Sequence, residues 1–526
     1  MLAQLFLSAF GTLLSYALFQ LVKFLYDQYA SPLRGMVGPR NPSLLLGHFK
    51  ELEEDSMLTE KWKAQYGLNF QMKGLFSVRE LYTADTKALS HIAVHTDTYQ
   101  KPAFVRYHLA QIVGEGLLVV EGDDHRRQNP AFGVPQIREL TSVFVDKSHQ
   151  LRDIWASEIA PAVGGSARIE VLSWVSKMTL DVIGQAGFNY QFNALDPAAK
   201  PSELNKVFSQ IFHAPRSSLQ KGLRLAQAIV PILRVLPVPW NRLLEQAQDG
   251  MARIGQELLE ETRTSLESGV DTKRRDLLSL LLKGNAGEKI PLSDKELVSQ
   301  LPAFFVAGHE TTSTATAWAL YALARNRGAQ QKLRAELLTV DTEDPTLDEL
   351  NALPYLESVI RETLRAHSPV AFTARVAMED DVLPLRRPYL DRAGRAHESL
   401  RVSKGQVIHI PILDVNTDTE IWGDDAAEFR PERWEDVPDA ATAVPGVWAH
   451  LFTFLAGPRN CIGFRFALAE MKALLFVLIR AFEFEMAVPE GDVGRTNTPV
   501  QRPMVLSEKA TGAQMPLIVK PYREEA

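Results

Sequence analysis

The chain has 526 residues, 46% of them hydrophobic, a formal net charge of −7 and a single cysteine, Cys461. One thiol forms no internal disulfide and supplies no multi-cysteine zinc or iron–sulfur site, which suits a reducing compartment. The acidic balance and the absence of a basic block exclude nucleic acid as a partner.

The N-terminal stretch "MLAQLFLSAFGTLLSYALFQLV" runs 22 residues without a charge. As a helix it reaches about 33 Å, against a bilayer core of ~30 Å. It lacks the cationic start and small-residue cleavage site of a signal peptide, so a retained transmembrane signal anchor over 1–22 is expected. Lys23, Arg34 and Arg40 follow it and place the remaining chain on the cytoplasmic side. Gln4, Ser8, Thr12, Ser15 and Gln20 dilute the segment, so an interfacial seating stays open. A Pro/Gly-rich linker is expected over 23–43. The rest, 44–526, reads as one large, mainly helical unit with a small β-region.

Along that unit, "GLNFQMKGL" after the linker has strand character. Apolar residues at three- and four-residue spacing predict helices over 138–159 and 248–268. The apolar run 225–240 either dips into a membrane or packs as an ordinary helix. Ser293 with Glu296 is a capping-box start for a long helix over 293–326. Its centre, "AGHETTST", carries hydroxyls that loosen the ladder and a glycine, Gly308, that admits close approach of something flat. His309-Glu310 opens a zinc-protease signature, but Ser313 stands where the second histidine belongs, so that reading fails.

Pro354 starts a helix in which Glu362 and Arg365 share a face, and Arg433 lies in a later "PERW" segment. If the three meet, the cluster is costly to bury unless every donor is satisfied. A strand pair with a turn at Gly405 is expected in "VSKGQVIHIPI". Helical periodicity resumes over 464–484, which puts Cys461 just before a helix N-terminus, where a thiolate is stabilised. Gly457 and Gly463 permit tight turns, Arg459 offers a cation two residues away, and Phe454 can cover one side.

Phe454, Gly457, Arg459, Cys461 and Gly463 together complete F-x-x-G-x-R-x-C-x-G, and in this the chain resembles the cytochrome P-450 family. The other motifs follow in that family's order: Ala307 to Thr312 resembles its oxygen-binding helix segment, Glu362 and Arg365 its E-x-x-R pair, and Pro431 to Trp434 its P-E-R-F-type segment. The resemblance implies a cytochrome P-450 fold holding heme b, with Cys461 as axial thiolate and iron ligand. A thiolate pushes electron density onto iron and favours O–O cleavage. Thr311 and Glu310 would relay the protons that dioxygen cleavage consumes, with the Glu310 carboxylate open to bulk. Arg459 would bind a heme propionate, and His125 and Arg375 stand where the family often places further propionate partners. The chain departs from the family at Asn129, where an arginine is usual, and the segment before Pro130 is about one helical turn short; Arg126 or Arg127 are the substitutes at hand.

No dinucleotide fingerprint is fused to the chain. The resemblance therefore implies a membrane-bound NADPH–cytochrome P-450 reductase as electron donor, with cytochrome b5 as a possible second, at the endoplasmic reticulum membrane. The expected activity is monooxygenation of a lipophilic small molecule, in a pocket lined near 100–120, 205–240, 301–312 and 369–376. Two alternatives stay open: a heme-thiolate isomerase or peroxygenase, and a heme-poor, non-enzymatic membrane protein.

Overall fold

The computed structural model describes residues 2–128, 133–162, 164–196, 198, 223, 226–227, 233–234, 239–268, 276–285 and 291–523. Helices dominate and the sheets are small, as the sequence predicts. The segment 129–132 and most of 205–240, on which expectations were placed, lie outside the described residues. The chain divides into two compact units, Met1–Gln100 with Phe372–Asp414, and Lys101–Ala371 with Val415–Ala526.

The first unit opens with α1 (Leu2–Ala30), which continues through Lys23 and Asp27 into the stretch expected as linker. Ser8 and Thr12 turn their hydroxyls onto the carbonyls of Gln4 and Ser8, each at 2.8 Å. Among the described residues no helix is long and apolar enough to cross a membrane. The expected transmembrane span over 1–22 is therefore not supported, and the polar residues that dilute it are the physical reason. Its side chains are nonetheless apolar and bare: Phe10, Leu14, Leu18, Phe19, Leu21 and Val22 are all more than half exposed.

This unit carries β1 (Asn69–Lys73), β2 (Arg79–Thr83) and β3 (Tyr99–Gln100). Late in the chain it adds β5 (Thr373–Ala377), β6 (Asp381–Leu390), β7 (Ala396–Val402) and β8 (Val407–Ile410); β4 (Ala167–Glu170) belongs to the second unit. One sheet has the order β1-β2-β8-β5-β3, and β6 and β7 form a separate hairpin. β1 and β2 pair antiparallel with Asn69 opposite Thr83 and Lys73 opposite Arg79. Phe70 stacks on Tyr82 at 4.2 Å in the core. The turn before β8 uses Gly405 at φ +84°, a conformation glycine adopts without Cβ strain.

The second unit is built on helices α2 (Gly122–Gln128), α3 (Val134–Ile159), α4 (Val171–Phe188), α5 (Pro239–Glu267), α6 (Asp294–Arg325), α7 (Pro354–Ala366) and α8 (Phe464–Ala481). α6 starts at the anticipated capping box: Ser293 accepts from the Glu296 amide and the Glu296 carboxylate accepts from the Ser293 amide. Phe305 of α6 meets Phe188 of α4 at 4.5 Å, and Phe466 of α8 meets Phe144 of α3 at 4.8 Å. Small sheets complete the unit: β4 (Ala167–Glu170), β9 (Phe482–Met486) and β12 (Pro516–Pro521) form one, β10 (Val493–Arg495) and β11 (Pro503–Val505) another. α8 stops at Ala481 rather than 484, because Phe482–Met486 alternates burial and pairs with β12.

Candidate active site

Cys461 is set by a tightly folded loop of the second unit. Turns over Phe452–Phe454 and Gly457–Arg459 reverse the chain, with Gly457 at φ +65°. The Cys461 amide donates to the Phe454 carbonyl at 2.9 Å, and the Asn460 amide to the Gly457 carbonyl at 3.1 Å. Phe454 is buried and lies 5.8 Å from both Trp448 and Phe464. Gly463 is the last residue before α8 and a methyl on it would meet nothing within 4 Å.

The Cys461 side chain has accessible surface, yet protein atoms crowd it closely enough for burial to be the largest influence on its pKa. That combination belongs to a side chain facing an interior space rather than bulk water. Burial pushes the thiol pKa up, and a hydrogen bond from the Gly463 amide pulls it back. A coordinating metal cation reverses the balance, because a metal-bound thiol is deprotonated outright.

The Arg459 side chain, 7% exposed, donates to the Val120 carbonyl at 2.9 Å and pairs with the carboxylate of Glu121. Lys101 approaches the same carboxylate at 3.8 Å. His125 of α2 is buried; its pKa is lowered to about 4, first by burial, then by Arg459, Lys101 and Arg126. The structure thus brings Arg459 and Lys101 onto one carboxylate, with His125 close enough to feel both charges. Cations that hold one carboxylate are chemically suited to a heme propionate, with which Glu121 would compete. Arg126 pairs with Asp123, and Arg127 with Asp124 and with Glu296 of α6. Arg375 lies on β5 of the first unit, 7% exposed, donating to Thr373 Oγ1 and the Ala374 carbonyl.

The centre of α6 supplies the other half of the site. Ala307 and Thr311, one turn apart, are its more accessible residues, whereas His309, Glu310 and Thr312 are buried. Thr311 Oγ1 donates to the Ala307 carbonyl at 2.8 Å, so its oxygen lone pairs stay available as acceptors. Gly308 differs from expectation. A Cβ there would come 2.9 Å from Ile183 Cδ1, so the missing side chain admits α4 rather than a flat ligand. His309 Nδ1 bonds the Phe305 carbonyl at 2.7 Å, and no metal-binding cluster of His, Cys, Asp and Glu occurs among the described residues.

Glu310 also differs from expectation. It is 8% exposed rather than open to bulk, and its carboxylate pairs with Arg502. The Arg502 backbone is fixed in turn: its amide donates to Thr496 Oγ1 at 2.9 Å, and the neighbouring Gln501 carbonyl accepts from Trp318 Nε1 of α6 at 3.0 Å. Sequence reading missed both Arg502 and Glu121. Arg502 is a lone charge in a loop and Glu121 one of several charges around α2; each is remote in sequence from its partner, with no local pattern to mark it.

Glu362, Arg365 and Arg433 come together with side chains no more than 1% exposed. Arg365 grips Glu362 through two bonds, at 2.8 and 2.9 Å, and donates to the carbonyls of Asn416, Ala426 and Glu428 at 3.1, 2.6 and 3.0 Å. Arg433 Nε reaches Glu362 at 3.4 Å, while its other nitrogens bind Asp425 and the Trp422 carbonyl. The Arg430 amide and Trp434 Nε1 also donate to Glu362, at 3.0 and 3.2 Å. Every strong donor is satisfied, which is the condition for burying such charges. Because these bonds tie α7 to the segment before the cysteine loop, they brace the platform on which Cys461 sits.

A lone thiol on a braced loop, with a hydroxyl-bearing helix in the same unit, is a donor set that suits a heme-thiolate site. Comparison with known proteins agrees. The profile of the cytochrome P450 family matches residues 37–509. Cytochrome P450 monooxygenases 205 and 128 of Postia placenta (strain ATCC 44394 / Madison 698-R) are each 49% identical to the chain. The first match covers 97% of this chain and 96% of the relative, the second 98% and 97%. Cytochrome P450 monooxygenase claO of Ampulloclitocybe clavipes is 38% identical over 93% of each. The chain belongs to the cytochrome P450 family. It is a heme-thiolate, oxygen-incorporating oxidoreductase.

Proposed function

We propose that the protein hydroxylates a lipophilic small molecule, drawing electrons from a membrane-bound NADPH-dependent flavoprotein reductase, with cytochrome b5 as a second donor. The overall change adds one oxygen atom of O2 to the substrate and releases the other as water, consuming two electrons and two protons. Heme, held by Cys461, supplies the reductive cleavage of dioxygen. The polypeptide supplies the protons and the geometry. Thr311, accessible and with free lone pairs, holds a proton or a water at the helix centre. Glu310 feeds it, and Arg502 restrains the carboxylate so that its swing toward Thr311 is limited. His125 stays neutral at physiological pH and donates or accepts without adding charge beside Arg459.

The placement of Thr311 beside a buried, arginine-held Glu310 carries this reading, since proton delivery serves oxygen activation and is not needed for rearranging a peroxide. α1 supports a membrane location: its bare apolar side chains favour seating at or in a bilayer, which we assign to the endoplasmic reticulum with the remaining chain on the cytoplasmic side. Reconstitution with a flavoprotein reductase, NADPH and a panel of fatty acyl, terpenoid, steroid and aromatic compounds tests the proposal. Oxygen-18 from O2 should appear in a product. Turnover with peroxide alone, and none with NADPH and reductase, would favour the peroxygenase reading instead.

A further inference from the structure

In the first unit, four cations lie on adjoining segments, and the acids beside them are paired elsewhere. Lys73 and Arg79 stand directly opposite on β1 and β2, a like-charge pairing that destabilises a ladder. The Arg79 amide donates to Gln28 Oε1 of α1 at 3.1 Å, and its guanidinium to the Gln28 carbonyl. Arg34 sits in the turn Pro32–Gly35 that follows α1. The Arg392 amide donates to the Gly35 carbonyl at 2.9 Å, which brings the end of the β6–β7 hairpin onto the same turn. Among the described residues no carboxylate forms an ion pair with any of the four. The nearest acids in sequence are engaged elsewhere: Asp391 by His397 and the Arg395 amide, Glu80 by His409. Arg79 Nε is buried without a hydrogen-bond partner. Burial, then Arg79 and Arg392, lower the Lys73 pKa to about 8; burial, then Arg34 and Arg392, lower that of Arg79.

Apolar side chains protrude from the segments that build this cluster. Leu44 is 82% exposed, Leu45 58%, Phe76 49% and Leu390 59%. Phe76 and Ser77, in the turn between β1 and β2, hold φ of +55° and +60°. A non-glycine residue pays for that conformation, and such strain persists where it presents a side chain for use. The Phe76 amide donates to the Leu45 carbonyl at 2.7 Å and Ser77 Oγ to that of Leu44 at 2.9 Å, so the two apolar loops form one edge.

We propose that Arg34, Lys73, Arg79 and Arg392 form a binding site for the phosphate of an anionic phospholipid headgroup, with Leu44, Leu45, Phe76 and Leu390 entering the acyl boundary beside it. The site rests on reading α1 as membrane-seated. It goes further in assigning headgroup charge selectivity to a built cluster beside the helix. Repulsion among the four cations is relieved when a phosphate enters.

Flotation of the full chain with neutral phosphatidylcholine vesicles, and with vesicles containing phosphatidylserine, tests this. The parent should bind the anionic vesicles more tightly, with an advantage that shrinks as salt rises. Arg34→Gln with Arg392→Gln, both exposed positions, should cut that advantage by roughly twenty-fivefold, about fivefold per cation. Binding to neutral vesicles should be unchanged, as should the reduced carbon-monoxide spectrum that certifies folding. If α1 seats both proteins too firmly for flotation to discriminate, native mass spectrometry from mixed-lipid nanodiscs decides: the parent should retain anionic lipid and the double variant should lose it. No headgroup preference by the parent in either measurement, or an undiminished one in the variant, overturns the site while leaving α1 membrane-seated. Failure to bind either vesicle overturns both readings.

Discussion

Replacing Arg365 with lysine conserves charge and should still be among the most damaging single changes in the protein. Arg365 donates five hydrogen bonds, two to Glu362 and three to backbone carbonyls, in full burial. A lysine has three donors on one nitrogen and cannot span that geometry. At least two bonds are lost, and bonds to charged groups contribute about 1.5–3 kcal/mol each, giving roughly 3–6 kcal/mol. Arg365→Met should cost a similar ~3–5 kcal/mol, by leaving the buried Glu362 carboxylate with the Arg430 amide, Trp434 Nε1 and only the longer cationic contact from Arg433. Against the usual total of about 5–15 kcal/mol, either change threatens the folded state. Arg361→Lys is the internal control: it keeps the charge beside the partly exposed Glu357, which Lys472 also holds at 2.8 Å, and should cost about 1 kcal/mol or less. Urea denaturation followed by heme absorbance would place the Arg365→Lys midpoint about 1 M or more below that of the control. Coincident midpoints would show that the buried cluster does not brace the cysteine loop.

Cys461→Ser should abolish the strongly red-shifted Soret band of the reduced, carbon-monoxide-bound protein; retention of that band would place the iron ligand elsewhere. Arg502→Gln leaves the Glu310 carboxylate buried without its cation, so with reductase and substrate the product formed per electron should fall roughly tenfold while hydrogen peroxide rises. Unchanged coupling would remove Arg502 from the proton route. His367 lies parallel to Trp318 at 4.7 Å with an Arg495 nitrogen 3.3 Å from Nδ1, and burial, then Arg495, hold its pKa well below the usual histidine value. Below about pH 6.5 the unfolded chain takes a proton there that the folded one refuses. Stability should thus fall on acidification by up to ~1.4 kcal/mol per pH unit from this group alone. His367→Gln should flatten the acid limb of stability against pH by that slope.

The cysteine loop and the Glu362–Arg365 pair were legible because their chemistry is written into short spacings: a thiol before a helix start, two charges on one helical face. The capping box of α6, the Pro354 start of α7 and the periodicity of all three helices α6, α7 and α8 were legible for the same reason. What escaped was long-range. Arg502 and Glu121 acquire meaning only when the fold delivers them to Glu310 and Arg459. Gly308 was read for a flat ligand when it serves the contact with Ile183, since a missing Cβ does not say what approaches. The end of α8 was set too late because Phe482–Met486 is apolar enough to extend a helix; only pairing with β12 makes it a strand. The β6–β7 hairpin, rich in arginine and irregular in register between Pro384 and Tyr389, offered no clean alternation to find.

The clasp of Arg502 on Glu310 has a consequence for how the enzyme comes into being. Translation emits the thiol at position 461 well before the guanidinium at 502. A chain stopped between the two would carry the thiol and Glu310 but lack both the cation that holds the carboxylate and β12, whose Leu517 and Val519 are fully buried. The guanidinium that restrains the carboxylate and the strand that closes the β4-β12-β9 sheet are thus completed together, at the very end of synthesis.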